Sequence, residues 1–167
     1  RNFHRIIVAS QSGGLYTRHH EIRARVFVAY RMTRIGFAYN QKPESAEFTS
    51  DEFAEWDSRE TIDAVAAALA HLGEVIRLEA NENFPEYLRR EKPDIVFNIA
   101  EGRQGVNRES HVPAICEFYG IPYSGSDPLT LSICLDKAKT KEALSYHGVR
   151  TARFSVVTEI ADIEAAR

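Results

Sequence analysis

The sequence has few of the features that build disulfide frameworks or membrane spans. It holds only two cysteines in 167 residues, and Cys116 and Cys134 form no CxxC pair, so we expect both to be reduced thiols without a metal or disulfide role. No stretch approaches the roughly 20 apolar residues of a membrane-spanning helix, and the first residues show no secretory leader. These absences predict a cytoplasmic protein that acts away from membranes.

Two nucleotide-binding motifs are also missing. The chain contains neither the GxGxxG fingerprint of dinucleotide-binding proteins nor a P-loop, so hydride transfer and P-loop phosphate transfer are poor expectations. What the chain does contain is 44% hydrophobic and 27% charged residues, which is typical of an ordinary globular domain.

Positive charge is concentrated at the start of the chain. Residues 1–31 carry six arginines against one glutamate, whereas the whole chain has a formal charge of −3. A basic arm of this kind could bind nucleic acid or an acidic partner. However, the only methionine, Met32, directly precedes the first predicted strand. We therefore expect residues 1–31 to be an N-terminal extension of unclear origin, with no nucleic-acid role, and the domain proper to span residues 32–157.

Strand and helix signals alternate after Met32, which is the pattern of a parallel sheet covered by crossover helices. We expect an α/β fold with a three-layer, Rossmann-like parallel sheet flanked by helices. The third strand is almost wholly apolar, so we expect it to be central. The predicted strands lie at 34–39, 75–78, 94–99, 121–124 and 152–157, and the predicted helices at 57–72, 85–90, 109–119, 127–135 and 137–146.

Three loops should lie at the carboxyl edge of this sheet, where open α/β proteins bind ligands. They are residues 40–44, 100–105 and 124–127. Glu101 with Gly102, and Gly125 with Ser126, would place a carboxylate and flexible backbone beside a ligand, although tight turns explain these residues equally well. Lys137 on a helix surface is ordinarily a solvated charge.

Four sequence segments together resemble a known family: VFNIAEG at 96–102, GIPYSGS at 120–126, LDKAKTK at 135–141 and GV at 148–149. They are similar to the amino-terminal, pre-ATP-grasp domain of the D-alanine:D-alanine ligase family, within the ATP-grasp superfamily. The resemblance implies an enzyme that joins a carboxylate to an amine through an acyl phosphate, uses ATP and Mg²⁺, and acts on amino-acid or dipeptide-like substrates. It also implies a homodimer and a place in cell-wall precursor synthesis.

The resemblance assigns roles to single positions. Lys137 matches a lysine that contacts ATP phosphate, and Glu44 matches the glutamate that holds the ammonium of the first substrate. Glu101 and Gly102 fall at the substrate-binding edge, and the pair Gly125 and Ser126 matches a structural turn. No catalytic residue or metal ligand is expected within these 167 residues.

Three places depart from the family pattern. Tyr39 and Asn40 stand where the family usually has two glycines, Glu101 replaces a histidine, and the segment GVNRE at 105–109 replaces an acidic, glycine-rich turn. A carboxylate in place of a mostly neutral histidine makes the substrate edge more negative. We therefore expect a substrate other than two D-alanines, one that carries an extra amine near Glu101.

The parts of the family that clamp ATP and Mg²⁺ lie in a central and a carboxy-terminal domain. We expect residues 158–167 to be the start of a truncated central domain, so that this chain alone binds ATP weakly and does not ligate. Two alternatives stay open: a non-catalytic dimerisation or ligand-binding module derived from the family, and an unrelated α/β enzyme with a flavodoxin-like sheet.

Overall fold

A computed structural model of the chain describes residues 31–43 and 53–159. Within these ranges three strands alternate with two helices and are followed by three further helices, and none of the helices is long and apolar enough to cross a membrane. The elements are β1 (Arg34–Tyr39), α1 (Arg59–Leu69), β2 (Glu74–Glu79), α2 (Phe84–Glu91), β3 (Ile95–Asn98), a 3₁₀ turn (Arg108–Ser110), α3 (His111–Tyr119), α4 (Pro128–Leu135) and α5 (Lys137–Tyr146).

The sheet is parallel and its strand order is β2-β1-β3. Ile35 in β1 pairs with Val75 in β2 and with Ile95 in β3. Each strand is joined to the next by a helix, because parallel neighbours need a crossover connection. The predicted α/β class, with a parallel sheet flanked by helices, is confirmed.

Alternation along β1 divides the core into two layers, because successive strand side chains point to opposite faces. Ile35 and Phe37 pack with α1 on one face, whereas Ala38 lies in the core formed with α2 and α3 on the other. Phe37 and Leu88 are fully buried, and each such side chain stabilises the fold by about 1.5–3 kcal/mol. This core fixes the strand ends from which the loops project.

The prediction of a central third strand is wrong. β1 is the central strand, and β3 has β1 on one side and only an isolated bridge between Val96 and Tyr123 on the other. Ile95 is 37% exposed, so apolar composition did not indicate burial on both faces. The predicted fourth strand is reduced to this bridge, in which Val96 N–H donates to Pro122 C=O at 2.8 Å and Ser124 N–H donates to Val96 C=O at 2.9 Å.

The first helix begins one residue later than predicted. Ser58 is its N-cap, and the Ser58 hydroxyl accepts from Thr61 N–H at 3.2 Å. Asp57, where the helix is predicted to start because Asp57 and Glu60 form a capping box in the sequence, instead lies in a parallel bridge with Gln41. The helix also ends at Leu69, which leaves Leu72 outside it and 72% exposed.

Later boundaries follow the capping signals. Asp127 caps α4 by accepting from Thr130 N–H at 3.0 Å, with Pro128 at the first helical position. Asp136 caps α5 in the same way. The strand predicted at 152–157 is wrong: these residues are exposed and have no regular structure, because no strand in the described part of the chain pairs with them. Both cysteines are free, Cys116 buried and Cys134 exposed.

Candidate functional site

An open cleft of about 450 Å³ lies at the carboxyl end of β3. Its walls come from the start of α1, the segment just before it, the residues that follow β3, the turn after Tyr123, and α4. One wall is acidic and another is formed by small hydroxyl-bearing residues. The polar residues that line it are Glu55, Asp57, Thr61, Asn98, Glu101, Glu109, Ser124 and Ser126.

Three carboxylates meet in this cleft. Glu55, Glu101 and Glu109 each offer an oxygen atom, and these atoms all lie within 4.8 Å of one another. Glu55 is exposed, whereas Glu101 and Glu109 are partly buried. Arg108 forms an ion pair with Glu55 on one side of the group. The cluster therefore keeps an excess of negative charge.

The surroundings of the Glu101 carboxyl group disfavour its charged form. Burial raises its pKa first, and the neighbouring carboxylates of Glu109 and Glu55 raise it further, whereas Arg108 lowers it. A raised pKa means that the charged form is disfavoured until a cation arrives. The Glu101 side chain is therefore suited to receive a positive group.

The residue after Glu101 is held on both sides by side chains. Gly102 N–H donates to Asn40 Oδ1 at 2.8 Å, and Trp56 Nε1–H donates to Gly102 C=O at 3.1 Å. Asn40 is only 2% exposed, and its Nδ2 donates to Ala80 C=O at 3.1 Å. One buried amide thus links the ends of β1, β2 and the loop after β3.

The turn after Tyr123 is tied to β3 by hydrogen bonds. Asn98 N–H donates to Ser124 Oγ at 3.0 Å, in addition to the backbone bond between Ser124 and Val96. Gly125 has φ +98°, a conformation that L side chains rarely adopt. The turn therefore presents Gly125 and Ser126 to the cleft from a fixed base.

The structure brings some of the predicted site residues together and leaves others apart. Glu101, Gly125 and Ser126 line one cleft. Gly102 is buried behind it and lines a neighbouring cavity of about 340 Å³. Glu44 lies outside the described residues. Lys137 does not line the cleft; its Nζ donates to Cys134 C=O at 3.3 Å on an exposed surface.

The start of α5 is a weak match to an ATP phosphate site. Lys137 offers one exposed cation there. However, the N–H groups of Ala138 and Lys139 already donate to Asp136 Oδ1, at 2.9 and 3.0 Å, and these are the donors with which a helix N-terminus holds phosphate. The described residues around Lys137 therefore do not by themselves form a phosphate cradle.

Sequence reasoning did not single out Glu55, Trp56 or Glu109 as site residues. Glu55 and Trp56 belong to a polar stretch that reads as an ordinary loop, and Glu109 reads as the start of a helix. Asn40 lies in the predicted loop 40–44 and departs from the family pattern, but neither observation indicates its hydrogen bond to Gly102. The one signal in the sequence is that Asn40, with a side-chain amide, stands where the family usually has glycine, while Glu101 introduces a new carboxylate at the same edge of the sheet.

No family model matches the chain, but similar proteins and solved structures are found. The chain is 39% identical over 92 residues to the D-alanine–D-alanine ligase of Moorella thermoacetica, which covers 54% of this chain and 29% of that ligase. The ligase of Bacillus anthracis superimposes with a TM-score of 0.56 at 25% identity, over 80% of this chain and 43% of that one. The resemblance to D-alanine–D-alanine ligases is confirmed.

The matched region is the amino-terminal part of these ligases. The chain spans about a third of the length of the curated relatives, including an uncharacterised protein of Sinorhizobium fredii that is 34% identical over 135 residues, which are 75% of this chain and 37% of that protein. The Bacillus anthracis ligase has also been crystallised with ATP. The likeness to the Bacillus anthracis ligase therefore takes in most of this chain and less than half of that ligase.

Proposed function

We propose that this chain is the substrate-binding, amino-terminal part of an ATP-dependent carboxylate–amine ligase that resembles D-alanine–D-alanine ligase. In such a reaction ATP phosphorylates one carboxylate, and the amine of the second substrate attacks the acyl phosphate and releases phosphate. The observation that carries the proposal is the cleft at the carboxyl end of β3, where Glu101 lies with Glu55 and Glu109. The likeness to the amino-terminal region of the ligases supports it.

The cleft suits the ammonium group of an amino acid. Three oxygen atoms within 4.8 Å of one another can all be reached from a central nitrogen at about 2.8 Å, an ordinary N–H···O length. An ammonium has three N–H donors, one for each oxygen. Val65 and Leu131 line the same cleft and offer apolar contact to a short side chain.

Charge favours a substrate with more than one amine. Glu55, Glu101 and Glu109 carry three negative charges when ionised, and Arg108 compensates one of them. A single ammonium would leave the site negative. We therefore propose that the ligand is an amino acid with a second amine, and that Glu44 and Glu101 each hold one ammonium.

A binding titration tests this proposal. Chemical-shift changes of the labelled chain would be followed with D-alanine, L-alanine, D-ornithine and, as an acid without an amine, propionate. We expect D-ornithine to bind most tightly and propionate not to bind. Glu101→Gln should weaken the D-ornithine complex about tenfold or more, because a charge-assisted hydrogen bond contributes about 1.5–3 kcal/mol.

Glu82→Gln is the matched control for this titration. Glu82 is exposed, forms an ion pair with Arg103 and lines the neighbouring cavity, so its loss should leave binding unchanged. If D-ornithine fails to bind at millimolar concentration, or binds Glu101→Gln as well as the unchanged chain, the cleft is not an amine site. Competition by Mg²⁺ alone would assign the three carboxylates to a metal.

We further propose that a chain of these 167 residues has negligible ligase activity and binds ATP weakly. Support comes from Lys137, which is the one predicted ATP contact and stands without a phosphate cradle around it. Phosphate release with ATP, Mg²⁺ and each amino acid should stay at background. A tight, magnesium-dependent ATP complex in calorimetry would contradict this.

One observation favours a second function, that of a partner-binding or dimerisation module. Neither α4 nor α5 contains a buried residue, and Leu129 is 69% exposed although α4 is strongly apolar. Such an apolar surface is typical of an interface. Light scattering at increasing concentration would give a dimer mass if two copies associate, and a monomer mass throughout if they do not.

A further inference from the structure

The backbone of Gly102 is held from opposite sides by two side chains that no strand supplies. Asn40 Oδ1 accepts from Gly102 N–H at 2.8 Å, and Trp56 Nε1–H donates to Gly102 C=O at 3.1 Å. Gly102 has φ +78°, and a Cβ there would lie 2.2 Å from the carbonyl oxygen of Arg108. The peptide units on both sides of this residue are therefore fixed.

We propose that Asn40 and Trp56 are positioning residues that clamp Gly102 and thereby hold the adjacent Glu101 carboxylate in the cleft, against Glu55 and Glu109. This inference rests on the proposed function only in taking the cleft as the site that binds an amine. The clamp itself is a property of the described contacts.

The clamp joins the segments that carry the acidic residues. Trp56 lies between Glu55 and Asp57, which both line the cleft, and Asp57 N–H donates to Asn40 C=O at 3.0 Å. Asn40 and Trp56 thus also tie the segment before α1 to this loop, Asn40 through its backbone carbonyl and Trp56 through its indole N–H. These neutral hydrogen bonds keep the Glu55 and Glu101 segments close and do not cancel the negative potential that a cationic ligand would meet.

The fold does not need this arrangement for its sheet. The β1–β2 and β1–β3 ladders end at Tyr39 and Asn98, before the clamp begins. A buried amide costs stability unless its hydrogen-bonding groups are satisfied, and both polar atoms of the Asn40 side chain are satisfied by the ends of neighbouring segments. Asn40 therefore fixes the positions of the loops at the carboxyl edge of the sheet.

Nuclear magnetic resonance on the full chain without ligand tests the clamp at two atoms. The exchange rate of the Gly102 amide reports the bond to Asn40, and the carboxyl titration of Glu101 reports its surroundings. Burial raises the pKa of Glu101 most, the carboxylates of Glu109, Glu55 and Asp57 raise it further, and Arg108 lowers it. In Asn40→Ala the Gly102 amide should exchange about fivefold faster, as loss of one hydrogen bond predicts, and the Glu101 midpoint should fall towards that of an ordinary glutamate.

A second variant covers the case in which Asn40→Ala fails to fold. Trp56→Phe removes the indole N–H together with one of the two fused rings, and leaves a single ring to contact Phe53, whose ring centroid lies 4.8 Å from that of Trp56. It should lower the Glu101 midpoint in the same direction. Asn40→Asp keeps the acceptor for Gly102 N–H but loses the donor to Ala80 C=O, so the Gly102 amide should exchange as slowly as in the unchanged chain. That opposite outcome separates positioning from a general loss of stability.

Asn81→Ala is the matched control, because it removes an amide at the end of β2 that bonds with Glu79 and Asn83 instead of Gly102. It should leave the Glu101 midpoint and the Gly102 exchange rate unchanged. The clamp is refuted if folded Trp56→Phe and Asn40→Ala both titrate like the unchanged chain, or if Asn81→Ala shifts the midpoint equally. These measurements are made without ligand, so they can support the clamp even if D-ornithine fails to bind. The D-ornithine titration can likewise succeed even if the clamp is refuted.

Discussion

Replacement of Gly102 by alanine should be the most damaging single-methyl substitution in the loop after β3. Two costs combine there. A non-glycine residue at φ +78° costs about 1–2 kcal/mol. In addition, the new Cβ would lie 2.2 Å from the Arg108 carbonyl oxygen, so the backbone must move, and the hydrogen bonds to Asn40 and Trp56 must lengthen or break.

The magnitude follows from these contacts. Each of the two hydrogen bonds contributes about 1 kcal/mol, so Gly102→Ala should lower the free energy of unfolding by about 3–4 kcal/mol in total. Gly105 provides the matched control, because it lies in the same loop with φ +90° but has no atom within 4 Å of an added Cβ. Gly105→Ala should therefore cost only the backbone term, about 1–2 kcal/mol.

Urea unfolding followed by far-ultraviolet circular dichroism would measure both variants. The difference of about 2 kcal/mol corresponds to about 4–8 °C in Tm for a chain of this size. Glu101 should also titrate at lower pH in Gly102→Ala. Equal losses for the two variants would refute the reasoning, because they would show that the Arg108 carbonyl and the clamp add nothing beyond backbone strain.

Two further predictions concern charge and capping. Glu101→Gln should raise the free energy of unfolding at neutral pH by up to about 1 kcal/mol, since the like charges that face this partly exposed group are screened. A carboxyl group whose pKa is raised in the folded state binds more protons there than in the unfolded state. The unchanged chain should therefore lose stability as pH rises from the ordinary glutamate pKa through the raised pKa of Glu101. Glu101→Gln should lack this loss, so the free energies of unfolding of the variant and the unchanged chain should converge at lower pH in unfolding titrations. Ser58→Ala should cost about 1 kcal/mol as a lost N-cap; an equal or larger cost for Asp57→Ala in the same assay would restore Asp57 as the cap.

Local signals predicted most of the fold because they act within a few residues. The pair Asp127 and Pro128 fixes the start of α4, and Gly120, with φ +66°, ends α3. Alternation of strand and crossover helix then requires a parallel sheet. The residues around the start of α1 do not decide between Asp57 and Ser58 as the helix cap, because both residue types cap helices. The backbone bridge between Gln41 and Asp57 decides it.

Apolar composition could not place β3 within the sheet. β1 and β3 are both largely apolar, and strand order depends on which pairings the connections permit. Composition alone also cannot establish that a strand forms. The composition of residues 152–157 favours a strand, but a strand forms only beside a partner, and the described part of the chain offers none.

The acidic cluster could not be read from the sequence because its members come from separate segments. Glu55 and Glu101 lie 46 positions apart and meet only because the ends of β1 and β3 are neighbours. The departures from the family pattern at Asn40 and Glu101 are nevertheless structurally linked. Glu101 adds a charge that its neighbours repel, and such a residue turns towards solvent unless the backbone beside it is held. Asn40 supplies the hydrogen bond that holds it, and glycine at that position has no side chain with which to do so. A change of Asn40 to Gly in this chain should therefore release Glu101 without removing any charge from the cleft.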